Sequence, residues 1–210
     1  MPRGGESLAQ PFISRFSVDS DAMAVEGRLP PGQREVRKWP RLDLGIVPRF
    51  DPKAWDLRVD GEVENPLRLT YEEFLSLPKR TVVSDFHCVT GWTTFDNEWV
   101  GVTIRELAER AHLKPSGRFA MFRSGDGYTT SHPTSVLYDD DVLLAHQWDG
   151  KPLPLEHGGP VRLLVPKRYA WKSSKWVRAI TFMTEDELGY WEVRGYSNTA
   201  DPWTEDRYSF

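Results

Sequence analysis

Apolar and polar residues alternate in several short stretches of the chain, the pattern of β-strands with one buried face. The first stretch has Trp55, Leu57 and Val59 on one side and ends at the predicted turn Asp60-Gly61. A second stretch, 81–87, opens with β-branched residues and brings Cys88 to its end. Further strands are predicted at 118–123, 142–148, 161–165 and 176–184.

Two short helices are predicted by capping boxes, in which a Ser or Thr precedes a Glu by three residues. Thr70 with Glu73 opens the first helix, and Thr103 with Glu106 opens the second. Apolar residues of the second then recur with helical spacing. Because the helices are few and short and do not alternate with the strands, the pattern predicts an α+β fold.

The two ends of the chain differ in pattern. Residues 1–47 are predicted to form an irregular basic N-terminal arm, since Pro30-Pro31-Gly32 and Trp39-Pro40 interrupt any periodicity. Residues 48–210 are predicted to form a single domain. The basic arm has two interpretations: a solvated segment, or a segment that wraps the domain and reaches an anionic ligand.

Composition narrows the function classes. The 210 residues carry a formal charge of −4, which gives no general attraction to nucleic acid or to acidic membranes. No apolar run approaches the roughly 18 residues of a membrane helix, so stable membrane insertion is not expected. The first ten residues lack the pattern of a secretory signal, and a cytoplasmic location is expected.

Cys88 is the single cysteine, which excludes an intramolecular disulfide and a four-cysteine metal site within one chain. Its thiol is either a small buried apolar group or a chemically used one. It stands where a strand ends, shortly before Gly91, and such positions often carry function. The preceding His87 should point to the opposite face of the strand, so a direct Cys–His pair is not expected.

Residues 157–184 contain six lysines and arginines and no acidic residue. The turn Gly158-Gly159-Pro160 precedes Arg162, and two serines lie further along at 173 and 174. Backbone amides, hydroxyls and cations together suit a phosphate group. The alternative interpretation is an exposed strand with solvating charges.

These features together resemble the molybdopterin-binding domain of the sulfite oxidase family, over roughly residues 48–208. The resemblance rests on Cys88-Val89-Thr90-Gly91-Trp92, on Gly150-Lys151-Pro152-Leu153-Pro154 and on the stretch 157–175. It is closest to the short bacterial oxidoreductases of this type and to the branch containing the catalytic subunit of the protein-methionine-sulfoxide reductase.

The resemblance implies a mixed β-sheet fold with few short helices and a Mo-molybdopterin cofactor. It implies that Cys88 is the metal ligand and that Tyr196 is an active-site tyrosine. A further set of residues would hold the pterin and its phosphate: Arg49, Ser124, His157, Arg162, Ser173, Ser174 and Lys175.

The implied activity is a two-electron oxygen-atom transfer on a small S-oxide, N-oxide or sulfite-like substrate. Electrons would be exchanged with a separate haem or flavin protein. Three features of these motifs differ from the family: residues 89–92 lack the arginines of sulfite-oxidising members, Thr90 replaces the glutamate of the reductase branch, and His157 replaces the usual asparagine.

Two other functions stay open at this stage. One is a cofactor-free binding or structural domain of the same fold, with Cys88 as a buried thiol. The other is a Cys–His hydrolase, which would need a histidine and an Asn or Asp close to Cys88 in space.

Overall fold

The computed structural model describes residues 27–209. One of its two β-sheets has six strands: β1 (Arg34–Glu35), β4 (Arg80–Cys88), β5 (Trp92–Thr103), β8 (Leu143–Trp148), β9 (Lys151–Pro152) and β10 (Arg162–Leu164). In this sheet β5 lies between β4 on one side and β8 on the other, and β1 pairs with the start of β5. The pairing of β1 with β5 is parallel and the other pairings are antiparallel.

The second sheet has five strands: β2 (Asp56–Gly61), β3 (Leu67–Thr70), β6 (Phe119–Ser124), β7 (Thr129–Pro133) and β11 (Val177–Met183). Their order in the sheet is β3-β2-β11-β6-β7. β11 runs parallel to β2 and antiparallel to β6. Both sheets mix parallel and antiparallel pairs, which confirms the predicted α+β fold with a mixed sheet.

Three short α-helices lie in the described part of the chain: α1 (Tyr71–Ser76), α2 (Ile104–Arg110) and α3 (Thr134–Leu137). The predicted capping box at α1 is complete, since Thr70 and Glu73 exchange both hydrogen bonds. At α2 the Thr103 hydroxyl accepts from the Glu106 amide. The Glu106 carboxylate pairs instead with Arg110, so the predicted second box forms only in part.

The predicted strands are present with ends shifted by one or two residues, and β5 is the long strand that the pattern did not predict. Its polar stretch 96–98 has the appearance of a loop, yet it continues a strand of 12 residues. β5 pairs with β4 along one edge and with β8 along the other. Its first residue, Trp92, lies opposite Cys88 at the end of β4.

Buried apolar side chains form two clusters. The larger one packs the five-stranded sheet and helices α1 and α2 around Leu57, Phe74 and Leu107. The smaller one is rich in aromatic rings and contains Cys88 together with Trp99. Arm residue Trp39 packs against the smaller cluster. Among residues 27–209, no helix is long and apolar enough to cross a membrane.

Candidate active site

A cavity of about 260 Å³ lies beside the smaller cluster. Its walls come from six parts of the chain: the arm at 39–44, the end of β4 with the turn after it at 86–92, the turn at 126–128, Arg162 of β10, the segment 170–176 and the C-terminal aromatic residues Trp191 and Tyr196. Six of the predicted site residues line it together: Cys88, Arg162, Ser173, Ser174, Lys175 and Tyr196. Residues that are far apart in the sequence thus meet around one space.

Cys88 is the last residue of β4, and only 4% of it is exposed. Its Sγ lies 3.2 Å from the Thr90 hydroxyl oxygen. Burial raises the pKa of the thiol, while Thr90 and the more distant Arg207 oppose the rise. The Nδ1 of His87 lies 2.9 Å from the Thr93 hydroxyl oxygen. The histidine next to Cys88 is therefore engaged elsewhere.

Arg162 is a buried cation whose hydrogen bonds in the described structure go to backbone carbonyl oxygens. It donates to the carbonyls of His157 at 2.8 Å and Ser173 at 2.9 Å. Its guanidinium also lies over the rings of Trp39 and Phe86, at 5.1 and 4.9 Å from their centres. Burial lowers its pKa to about 9. A buried cation of this kind favours an anionic ligand.

Several buried polar atoms near the cavity have no hydrogen-bond partner among the described residues. They include the Ser174 hydroxyl and the Trp171 indole N–H, both from lining residues, and the Ser124 hydroxyl. Buried polar groups are nearly always hydrogen-bonded in folded proteins. These atoms are therefore suited to a ligand that is rich in hydrogen-bonding groups.

Lys175 is the second cation of the cavity. Its Nζ donates to the Glu156 carbonyl at 3.1 Å and lies 3.8 Å from an Asp43 carboxylate oxygen. Burial lowers the pKa of Lys175 to about 8, and Arg162 adds to this effect. Gly158 permits the arrangement, because a Cβ at this position would lie 2.9 Å from the Lys175 Cβ.

Tyr196 belongs to an aromatic wall of the cavity, which includes Trp171 from the basic segment 157–184. Its ring centre lies 5.3 Å from that of Trp171 and 5.1 Å from that of Trp191, and all three residues line the cavity. On its other side Tyr196 contacts Tyr208, which is half exposed. The wall is built from large rigid rings that limit the entry of water.

Three of the predicted site residues do not line the cavity. His157 lies behind Trp39, and the two rings are stacked with centres 4.1 Å apart. Ser124 is buried at the end of β6, opposite Val177 in the sheet. Arg49 is exposed. Burial lowers the pKa of His157, and Lys175 and Arg162 act in the same direction.

The arm contributes site residues that the sequence did not single out. Trp39 and Asp43 line the cavity, and Gln33 donates to the Cys88 carbonyl at 3.0 Å. Arg207, near the other end of the chain, donates to the Val89 carbonyl. The sequence signal for these arm residues was the Trp39-Pro40 pair within the basic arm, which is compatible with an arm that packs on the domain.

Residues 44–191 match the family model of the oxidoreductase molybdopterin binding domain. The chain belongs to this family. It is therefore an oxidoreductase of the molybdopterin-binding family of the sulfite oxidase type, as the resemblance implied. The match begins within the arm at the cavity and ends before Tyr196.

Similar proteins span several activities. The chain is 38% identical to the uncharacterized oxidoreductase YuiH of Bacillus subtilis (strain 168), over 88% of this chain and 93% of the relative. It is 29% identical to the protein-methionine-sulfoxide reductase catalytic subunit MsrP of Campylobacter jejuni, over 72% of this chain and 57% of the relative. The solved structure of the sulfane dehydrogenase SoxCD of Paracoccus pantotrophus superposes with a TM-score of 0.61 at 27% identity, covering 66% of this chain and 40% of that one.

The donor set of the cavity fits the family's cofactor. A thiol is a suitable ligand for a soft metal site, and it lies in the same cavity as Arg162 and Lys175, which suit a phosphate. The hydroxyl of Ser174 and the N–H of Trp171, which have no hydrogen-bond partner among residues 27–209, add hydrogen-bonding capacity to the same cavity.

Proposed function

We propose that this chain binds Mo-molybdopterin and catalyses two-electron oxygen-atom transfer on a small oxide substrate. The observation that carries the proposal is the placement of the buried Cys88 thiol, the buried Arg162 guanidinium and the partly buried Lys175 ammonium around a single cavity. In a cofactor-free structural domain, Arg162 would stay buried with no carboxylate partner among residues 27–209, at a cost in free energy.

In this proposal Cys88 is the protein ligand of the metal, and Arg162, Ser173, Ser174 and Lys175 hold the pterin and its phosphate. When bound, the cofactor supplies the two-electron redox chemistry and the exchangeable oxygen. His157, Ser124 and Arg49 stay predictions for this role; His157 acts at most by supporting Trp39 and Arg162.

Cys88 must lose its proton to bind a metal. Because burial raises the pKa of this thiol, the thiolate needs stabilisation from its surroundings, and the Thr90 hydroxyl is positioned to donate to it. The proton leaves the sulfur as the metal is bound, so loading of the site should release one proton and become harder at low pH.

Tyr196 carries a hydroxyl on the aromatic wall, and we assign it the orientation of the substrate by donation to an oxide oxygen. The loop 89–92, which follows Cys88, carries no charged side chain. A neutral S-oxide or N-oxide is therefore proposed rather than the sulfite anion, for which a cation in this loop would be expected.

A separate haem or flavin protein is proposed as the electron partner. Support comes from the relatives: MsrP is named a catalytic subunit, and a protein of Azospira oryzae that is 27% identical is named a putative reductase subunit. The cytoplasmic location expected from the sequence stays a prediction.

The test is a substrate screen with the metal-loaded protein. Reduced viologen would serve as electron donor for methionine sulfoxide, dimethyl sulfoxide and trimethylamine N-oxide, and ferricyanide as acceptor for sulfite. We expect turnover of at least one oxide, its loss in Cys88→Ser and a decrease in Tyr196→Phe. Turnover that is equal in wild type and Cys88→Ser would contradict the proposal.

A further inference from the structure

The turn that follows β4 brings a hydroxyl to the sulfur of Cys88. The Gly91 amide donates to the Cys88 carbonyl at 3.0 Å, and Gly91 has a φ of 86°, which favours glycine. Within this turn the Thr90 Oγ1 lies 3.2 Å from the Cys88 Sγ. Both residues line the cavity.

Three hydrogen bonds from other segments hold the turn. Gln33 donates to the Cys88 carbonyl at 3.0 Å, Arg207 donates to the Val89 carbonyl, and the Arg34 amide donates to the Gly91 carbonyl at 3.1 Å. These residues come from the arm and from the C-terminal segment. Because the backbone of the turn is fixed from both sides, the Thr90 hydroxyl is positioned by the fold.

The direction of the hydrogen bond is fixed when the sulfur is a metal ligand. A thiol can donate or accept, but a thiolate ligand can only accept. With Cys88 bound to the metal, Thr90 would be the donor. A hydrogen bond donated to a metal-bound sulfur withdraws electron density from the metal, which favours its reduced state and raises its potential.

We propose that Thr90 is a positioning residue that orients the Cys88 thiolate and raises the potential of the metal bound to it. This inference rests on the proposed function, since it concerns the same metal site. Thr90 acts through Cys88 and is not assigned a contact with the substrate.

The test compares Thr90→Val, which keeps the shape of the side chain and removes the hydroxyl, with Thr90→Ser, which keeps the hydroxyl. Each variant is prepared with its metal from a host that makes molybdopterin. The Mo(V) electron paramagnetic resonance signal is followed during a redox titration. We expect the Mo(VI)/Mo(V) midpoint of Thr90→Val to move to a more negative potential and that of Thr90→Ser to stay at the wild-type value.

A second measurement separates a specific change in the redox potential of the metal from a general loss of structure. The sulfur-to-metal charge-transfer absorption should move to longer wavelength in Thr90→Val, because the sulfur becomes more electron-rich. Loss of the metal from both Thr90→Val and Thr90→Ala, with normal loading of Thr90→Ser, would also support a role of the hydroxyl at the sulfur.

The results that overturn the inference differ from those that overturn the proposed function. Equal midpoints and equal absorption in wild type, Thr90→Val and Thr90→Ser would overturn the role of Thr90 and leave the metal site in place. Absence of molybdenum and of the Mo(V) signal in the wild type would overturn the proposed function itself.

Discussion

Two buried cations of the same basic segment, Arg162 and Lys172, have opposite surroundings. Lys172 donates to the Glu192 carboxylate at 2.8 Å and to the Asn198 side chain at 3.0 Å. Glu192 also accepts from the Thr130 hydroxyl. Arg162 lies among aromatic rings and carbonyl oxygens, and it faces the cavity.

The difference shows how a buried charge can be assigned to structure or to function. The charge of Lys172 is compensated within the fold, so this residue connects the 3-10 turn at 170–172 to the one at 192–194. The charge of Arg162 is not compensated by a carboxylate among residues 27–209, so we expect a bound anion to compensate it. In a basic segment that looks uniform in sequence, only the cations that face the cavity are expected to bind the cofactor.

The largest expected effect on stability is that of Lys172→Met. It leaves the Glu192 carboxylate buried without its cation, and the free energy of unfolding should fall by about 3–5 kcal/mol. Urea unfolding of the cofactor-free protein measures this loss. The double variant Lys172→Met/Glu192→Met should recover much of it, whereas a single variant as stable as the wild type would contradict the structural assignment.

Arg162→Met should affect stability little and cofactor content strongly, in contrast to Lys172→Met. No carboxylate is left uncompensated, and the free energy of unfolding of the cofactor-free protein should fall by at most about 2 kcal/mol, from the carbonyls that lose a donor. Its pterin content after expression should fall at least about tenfold, equivalent to about 1.4 kcal/mol. Arg162→Lys, which keeps the charge without the planar fork, should lie in between. Normal pterin content in Arg162→Met would contradict the assignment of Arg162 to cofactor binding.

Lys175 sharpens the comparison through pH. Its pKa is about 8 in the folded protein against 10.5 for an ordinary lysine, so the unfolded chain holds more protons between these values. The stability of the cofactor-free protein should therefore rise as the pH increases from about 8 toward 10.5. Urea unfolding across this range should show a smaller rise in Lys175→Met. An identical rise in both proteins would show that another group is responsible.

The smallest effect is expected at Asp43, where the arm contacts the basic segment. The Asp43 carboxylate accepts from the Arg41 guanidinium and from the Gly45 amide, and it lies near Lys175. Asp43→Asn should increase trypsin cleavage after Arg41 by at most about fivefold, which corresponds to about 1 kcal/mol. Asp51→Asn, in the next loop, is the matched control and should leave the rate unchanged.

The strands and helices with regular periodicity were predictable, because a buried face imposes period 2 or 3.6 on the sequence. Strand β5 was not, since its polar residues at 96–98 turn outward or bond within the sheet without ending it. The half-formed cap of α2 follows from a competition that spacing cannot show: Glu106 has Arg110 as an alternative partner.

The candidate site, like the fold, could be predicted from the sequence only in part. A sequence motif placed Cys88 at a strand end, and the lack of acidic residues marked the basic segment as a whole. The distinction between Arg162 and Lys172 depends on Glu192, which lies outside that segment and reaches Lys172 only through the fold. The wall formed by the arm likewise depends on packing of Trp39 against distant rings.

The most direct test of the account is the molybdenum and pterin content of the purified protein from a host that makes molybdopterin. Metal analysis should give about one molybdenum atom per chain in the wild type, and oxidised extracts should show pterin fluorescence. Cys88→Ala should lose the metal yet keep part of the pterin, because the cationic end of the cavity is intact. A wild-type protein with neither molybdenum nor pterin would contradict the account.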